Sequence, residues 1–373
     1  KMVINIIGIS IGMKYLHDNG IVHRNLKPSN ILLDENLYPK IADFGTSWLL
    51  DENVTQLTHF IGTPIYMAPE VAGDDIYTFK VDVFSFSMIL YELYTNSRPI
   101  VNGNAIFHVI QNMIKGDRPN ETKLPEGPIK ELIIKCWSED PEKRPTFDDI
   151  IHYFIENRDD FWPEDVDEYE VEKYLSKFGL SFDQDQINDF FVNHKKKIIY
   201  NDENTLLRLT QKKLSKEKTT NNDYEKDSDD DSNDELIKRK PTSSDDDESA
   251  ESDESEKDIS KIFISQFGET VDLKQYKLIE QIGSGCYGHV YKVEKISNKK
   301  IYAAKVMILI YDKYDDEYQR FFLREIHCHQ MLDNEAIIKF YGYSLKDFDG
   351  NSHPVILTKF MKNGDLSQIL QKV

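Results

Sequence analysis

The stretch "HRNLKPSN", residues 23–30, decides how the rest of this chain is read. Leading into it, Ile4, Ile7, Ile11, Tyr15 and Leu16 recur at helical spacing, so the polar run closes an apolar helix pattern. Within it lie an arginine, a lysine and two amides, Asn25 and Asn30, all of them groups that engage oxygen ligands or donate to them. The chemistry turns on Asn25. An amide accepts a hydrogen bond but cannot take up a proton, so position 25 offers no general base.

Working outward, the bulk composition bounds the answer. A chain of 373 residues with 39% apolar content, 20 Phe, 20 Tyr and 3 Trp can bury more than one core and suits two or three domains. No run approaches the roughly 18 consecutive apolar residues of a membrane helix. The opening "KMVINIIGISIGMKYLH" is interrupted by Asn5, Gly8, Ser10 and Gly12, so neither a membrane span nor a secretory signal is expected. Cys136, Cys286 and Cys328 are odd in number and far apart, as in a reducing compartment. A soluble, cytoplasmic protein is the expectation. The start at Lys1 and the stop at Val373 suggest a piece of something longer.

The formal charge of −20 is unevenly spread. Residues 215–258 hold 18 acidic against 7 basic side chains, a local excess of −11. "DSDDDSNDE" and "SSDDDESAESDESEKD" contain no aromatic or β-branched residue and bury too little apolar surface to offset the entropy of ordering. Residues 215–260 are therefore expected to form an acidic, disordered linker, and no nucleic-acid partner is expected. Residues 1–157 read as mostly helical, with "DVFSFSMILYELY" and "IKELIIKCWSEDPEKRPTFDDIIHYF" as buried or amphipathic helices. Residues 158–214 hold three short amphipathic candidates, "YEVEKYLSKF", "DQINDFFVNH" and "NTLLRLTQKKL", expected to pack on the first part as a helical extension. Residues 261–373 alternate apolar and polar at period two, turn helical over "DEYQRFFLREIHCHQML", and return to a strand pattern at "VILTKF".

Chemistry-bearing motifs sit on both sides of the linker. "GSGCYGHV", Gly283–Val290, lies between two strand patterns, which excludes a dinucleotide-binding turn, where a helix would follow. Its glycines let backbone N–H groups approach phosphates because no Cβ intervenes. "YAAK" puts Lys305 in an apolar strand behind that loop, and Glu325 follows in "FLREIHCHQ". In the first segment "ADFG" supplies Asp43, and "GTPIYMAPE" runs from Gly62 to Glu70.

Together these motifs resemble the eukaryotic protein kinases, and within them the tyrosine-kinase-like serine/threonine branch. The resemblance covers nearly everything outside residues 161–260, in unusual order. It implies an α+β bilobal fold whose α-rich C-lobe comes first and whose β-rich N-lobe comes last. It further implies ATP as cofactor, with Gly283, Ser284, Gly285 and Gly288 at the phosphates. Val290, Ala303 and Leu32 would lie around adenine, Thr358 at the gatekeeper position, and Phe360 and Met361 at the hinge. Lys305, paired with Glu325, would hold the α- and β-phosphates, and Asn30 and Asp43 would hold Mg2+. Lys27 and "GTPIYMAPE" imply a protein substrate phosphorylated on Ser or Thr, with Thr63 near the catalytic loop. Arg24 would meet a phosphate on the activation segment, where Thr55 and Thr58 are candidates. Glu70 with Arg144 resembles a buried ion pair, and Asp82 a carboxylate anchoring the catalytic loop. Cys136 and Trp137 read as core, and Cys286 as a filler position.

The family pattern places aspartate where this chain has Asn25. Loss of the base removes about 10²- to 10⁴-fold in rate, while positioning, lysine and metal charge supply the larger share. Two functions stay open: a kinase with a weakened catalytic loop, and a pseudokinase scaffold or allosteric module that binds nucleotide without transferring phosphate. Two arrangements stay open as well. The preferred one is a tandem array, in which Lys305 and Asp43 belong to different sites completed by partner lobes of a parent chain. The other closes the two halves on each other.

Overall fold

The computed structural model describes residues 1–49, 62–71, 78–101, 106–180, 267–285, 287–307 and 316–370. Thr55, Thr58, Cys286, the later part of the expected extension and the whole acidic linker lie outside these residues. Residues 1–198 and 271–373 form one unit; a second, 199–270, is described only at 267–270.

Helix α1, Met2–Asp18, is so rich in isoleucine that almost its whole circumference from Val3 to Met13 is buried. Residues that recur as one stripe in the sequence are enclosed on every side because α2 (Lys80–Thr95), α5 (Phe147–Glu156) and two short strands surround the helix. One of those strands, β3 (Pro39–Ile41), forms a hairpin with β2 (Ile31–Leu33) after the loop at 23–30; the other, β1 (Ile21–Val22), pairs with β4 (Trp48–Leu49). Helices α3 (Ile106–Ile114) and α4 (Pro128–Cys136) complete the lobe around Cys136 and Trp137, both buried. Helix α5 starts on a reciprocal cap in which the Thr146 hydroxyl accepts from Asp149 N and the Asp149 carboxylate accepts from Thr146 N. Two further helices, α6 (Arg158–Phe161) and α7 (Glu168–Leu175), pack back on this lobe. Phe161 stacks on Phe154, and the buried Tyr174 sits 4.6 Å from the Tyr38 ring, whose hydroxyl donates to Glu170 at 2.6 Å.

Arg144 ties this lobe together without reaching solvent. Its guanidinium donates to both Glu70 oxygens at 2.5 and 3.0 Å, to Ser138 O and to Lys80 O, and it lies over the Phe84 ring. Removing one partner of a buried pair strands the other charge. Arg144→Met is expected to lower stability by about 3–5 kcal/mol in chemical denaturation, whereas Arg144→Met with Glu70→Gln recovers part of the loss.

The later segment is a five-stranded antiparallel sheet in the order β5 (Tyr276–Gly285), β6 (Gly288–Lys295), β7 (Ile301–Met307), β9 (Val355–Lys359), β8 (Phe340–Ser344). One long helix, α8 (Asp316–Met331), lies between β7 and β8, and a short α9 (Leu366–Leu370) follows the sheet. Val293, Ala304, Val306, Val355 and Leu357 form a small core on one face. Register puts Val290, Lys305 and Ile356 in one cross-strand row and Ala303 and Thr358 in the next, on the opposite face. This alternation assigns one sheet face to stability and the other to the site.

The expectation that Lys305 and Asp43 belong to different sites is overturned. The segment after α8 joins the helical lobe through backbone: Ile41 N donates to Ala336 O at 2.8 Å, Ile338 N donates to Ile41 O at 3.0 Å, and Leu33 N donates to Gly364 O at 2.9 Å. Ala336, Ile337, Ile338, Met361 and Leu366 enter the same apolar core as α1. Burial of that surface and satisfaction of the β2–β3 backbone draw the halves into one unit.

Candidate functional site

The loop at 23–30 is held by one carboxylate. Asp82, fully buried in the first turn of α2, accepts from His23 N at 2.8 Å and Arg24 N at 2.9 Å, and meets His17 Nε2 at 2.9 Å. Burial alone would raise this carboxyl, but the hydrogen bond and charge of His17, with His23, hold it below the usual range. Arg24 then takes a left-handed backbone with φ of 64°, unusual outside glycine. Its side chain is buried, with Nε donating to Thr46 O and the guanidinium over the Trp48 ring.

Beyond that anchor the loop's polar groups are linked. Asn30 is buried and donates Nδ2 to the Asn25 carbonyl at 2.8 Å, leaving its Oδ1 as an acceptor. Lys27 Nζ donates to Thr63 Oγ1 at 2.7 Å, and that hydroxyl donates to Asn25 Oδ1 at 3.3 Å. Asn25 Nδ2 makes a long hydrogen bond of 3.5 Å to Asp43 Oδ2. Gly62 allows the close packing here: at φ of 127°, a Cβ would lie 2.8 Å from Arg24 O.

Asp43, also left-handed at φ of 71°, points its other oxygen at the sheet. Lys305 Nζ donates to Asp43 Oδ1 at 2.7 Å and to Glu325 of α8 at 2.8 and 3.0 Å. Burial works against the Lys305 charge, yet the two carboxylates raise its pKa well above the usual value, so it is an ammonium throughout the accessible range. Asp43 is held low despite burial, chiefly by the Lys305 charge. Glu325 is pushed up by burial against the pull of Lys305, with Asp43 adding to the push.

Around this triad the other expected residues fall on two surfaces. Val290, Ala303, Lys305 and Thr358 share the cleft face of the sheet; Leu32 is half-buried in β2, its backbone bridged to Asp365. Gly283, Gly285 and Gly288 lie in the β5–β6 hairpin, and a Cβ at Gly288 would lie 2.1 Å from Val306 O. Ser284 turns its hydroxyl to His289 Nδ1 at 3.0 Å instead of into the cleft. Met361 is buried, and Phe360 lies beneath the Lys292 ammonium.

The residues present fit a triphosphate with Mg2+. Asp43 and Asn30 offer one anionic and one neutral oxygen, the hard donors that magnesium prefers. No group of three His, Cys, Asp or Glu among the described residues could hold a metal unaided, so an ion held by Asp43 and Asn30 would need phosphate and water oxygens as well.

One packed element escapes the motif reading. His329 of α8 is buried, stacked on Phe340 with centroids 5.0 Å apart and edge-on to Phe44 at 5.1 Å, while Phe44 meets His23 at 5.6 Å. These four rings run from β8 through α8 and the residue after Asp43 to the loop at 23–30. His329 stands four residues after Glu325, on the same helix face, which is the signal that could have found it. Its Nδ1 has no hydrogen-bond partner, and burial together with the Lys305 charge lowers its pKa to about 3. A group with a depressed folded pKa binds its proton only on unfolding, so stability falls as pH drops below 6.5 and levels near 3. His329→Met is expected to be the more stable protein, with the gap widening by about 1.4 kcal/mol between pH 7.5 and 5.5 in urea melts.

A lysine on a sheet, clasped by a helix carboxylate and closed over a lobe that presents Asp43 and Asn30, defines the protein-kinase class of fold. Residues 4–155 and 276–373 match the family model described as "Protein kinase domain", and the chain belongs to that family. Among curated relatives, RGS domain-containing serine/threonine-protein kinase A of Dictyostelium discoideum is 42% identical over 147 residues, 39% of this chain and 13% of that protein. Serine/threonine/tyrosine-protein kinase HT1 of Arabidopsis thaliana is 40% identical over 143 residues, 38% of this chain and 36% of that protein. Dual specificity protein kinase shkB of Dictyostelium discoideum is 37% identical over 146 residues, 38% of this chain and 22% of that protein. The chain thus spans between 13% and 36% of the length of these three relatives. No helix among the described residues is long and apolar enough to cross a membrane.

Proposed function

We propose that this chain is an ATP-dependent protein serine/threonine kinase of the tyrosine-kinase-like group with a weakened catalytic loop. The observation that carries this reading is the contact of Lys305 with both Asp43 and Glu325, across a separation of 262 residues from Asp43. Lys305 would turn from Asp43 to the α- and β-phosphates while Glu325 keeps it in place. Asn30 and Asp43 would hold Mg2+, which supplies positive charge against the charge developing on the transferred group. Lys27 and Thr63 stand where a substrate hydroxyl would enter, and Asn25 Oδ1 orients that hydroxyl by accepting its hydrogen bond. No group at position 25 takes its proton, which passes to an oxygen of the transferred phosphoryl group and from there to water. Both halves of the site come from this chain, so no partner lobe is needed to complete it. A cytoplasmic location suits Cys136 and Cys328, which are buried thiols outside any disulfide.

Asn25 also favours a second reading, a pseudokinase that binds nucleotide and works as a scaffold or allosteric module. Thermal melts with Mg-ATP, paired with phosphotransfer to serine and threonine peptides, separate the two. Nucleotide at about 100 times its Kd raises stability by about 2.7 kcal/mol if the site is intact. Phosphopeptide formation supports the kinase; binding without transfer supports the scaffold; no melting shift refutes both.

A further inference from the structure

The residues that follow Asp43 meet α8 one after another. Phe44 lies edge-on to His329, a Cβ on Gly45 would come within 3.3 Å of a Glu325 oxygen, and the centre of the Trp48 indole lies 4.4 Å from the Arg324 guanidinium. Trp48 also receives Arg24, whose guanidinium is 5.3 Å from the ring and whose Nε donates to Thr46 O. The strand carrying the indole is fixed to the loop at 23–30, because β4 pairs with β1 and the Thr46 and Ser47 hydroxyls donate to His23 O. One indole thus serves two buried cations, one from each half of the chain. Both arginines have further partners as well, and the indole is a contact they share. A buried guanidinium on an aromatic face is held by the ring quadrupole, which an aliphatic side chain lacks. The Trp48 N–H, by contrast, is buried with no hydrogen-bond partner among the described residues, so the face of the ring is the part in use.

Arg324 and Glu325 are consecutive in α8, so a rotation of the helix that carried Glu325 away from Lys305 would also carry Arg324 off the indole. We propose that Trp48 is a positioning residue for nucleotide binding: by holding Arg324 on its indole it fixes the rotation of α8 that brings Glu325 to Lys305. When Lys305 turns from Asp43 to the phosphates, Glu325 is the carboxylate that stays with it, so the setting of α8 matters most in the bound state. This deepens the nucleotide reading above and rests on it.

Calorimetric titration of the full chain with Mg-ATP, alongside hydrogen exchange of the α8 amides, tests the role. Trp48→Leu keeps apolar bulk without a π face and is expected to weaken ATP by about tenfold, whereas Trp48→Phe restores the face and is expected to stay within about threefold of the natural protein. In a Glu325→Gln background Trp48→Leu is expected to cost less than about threefold more, since the contact it protects is already gone; a packing defect alone would weaken both backgrounds alike. Exchange across Asp316–Met331 is expected to rise in Trp48→Leu and not in Trp48→Phe. Arg324→Met removes the cation and keeps the indole; it is expected to match Trp48→Leu and takes its place should circular dichroism show that variant unfolded. Natural affinity in Trp48→Leu, or an equal loss in both backgrounds, overturns the proposal while leaving the nucleotide site standing. If the natural protein binds no ATP, the nucleotide site itself falls and the exchange pattern decides alone: unchanged α8 protection in Trp48→Leu then overturns the positioning role, and a rise reversed in Trp48→Phe upholds the hold on α8.

Discussion

Restoring aspartate at position 25 is expected to raise phosphotransfer by about 10²- to 10⁴-fold, equivalent to roughly 3–5 kcal/mol of barrier. The neighbourhood is ready for the change: Thr63 and Lys27 already present donors on the side of Oδ1, and a carboxylate there would accept from the substrate hydroxyl and then take its proton. The gain should appear in kcat more than in KM, because the proton is transferred only as the bond to phosphorus forms. It should also be conditional on Mg2+, since the introduced carboxylate and Asp43 would repel each other at the present 3.5 Å spacing. Single-turnover assays with a threonine peptide, at several Mg2+ concentrations, measure both. Equal rates for the two proteins would remove the weakened-base reading; no turnover in either would leave the scaffold.

Lys305→Met carries the second large effect. The ammonium is the only described group touching Asp43 and Glu325 together, and its loss deprives a triphosphate of a charge-assisted contact worth about 1.5–3 kcal/mol, roughly ten- to a hundredfold in nucleotide affinity. The substitution also leaves Glu325 buried beside Asp43 with no countercharge, so stability should fall, by up to about 3–5 kcal/mol. Glu325 is already pushed toward protonation, so the destabilisation should be larger at pH 8 than at pH 5, where the carboxyl can take a proton. Lys305→Met with Glu325→Gln should recover stability but not nucleotide binding. Melts across pH with and without ATP test the pair; unchanged affinity in Lys305→Met would remove the nucleotide site.

Much of the site is legible in the chain because each part is local. Lys305 in an apolar strand, Glu325 in the next helix, and Asn30 and Asp43 on either side of a short hairpin each carry their own context of turn, period and residue type. The pairing of the halves is not legible in that way. Loop closure grows less favourable only as the logarithm of length, so the long stretch between Ile41 and Ile337 says little about whether they meet. What decides it is the fit of Ala336, Ile337 and Ile338 to the hairpin, a property of surfaces. His329 hides for another reason: it is one of two histidines in its helix, and nothing sets it apart from His327 until Phe340 and Phe44 are seen on either side. Tyr174 is half legible, since its helix shows an apolar stripe but nothing names Tyr38 as the ring it covers.

The backbone junction between Ile41 and the 336–338 segment also sets a timetable for synthesis. At about 5–20 residues per second, Ile41 leaves the ribosome roughly a quarter-minute to a minute before Ile337 exists to cover it. During that interval the nascent helical lobe shows bare apolar surface and an unpaired strand edge, which is what chaperones recognise. After release the dependence reverses: a protease cut anywhere between residues 180 and 271 would turn a millimolar effective concentration of one half for the other into ordinary dilution. The domain would then fall apart without losing a single residue from its cleft.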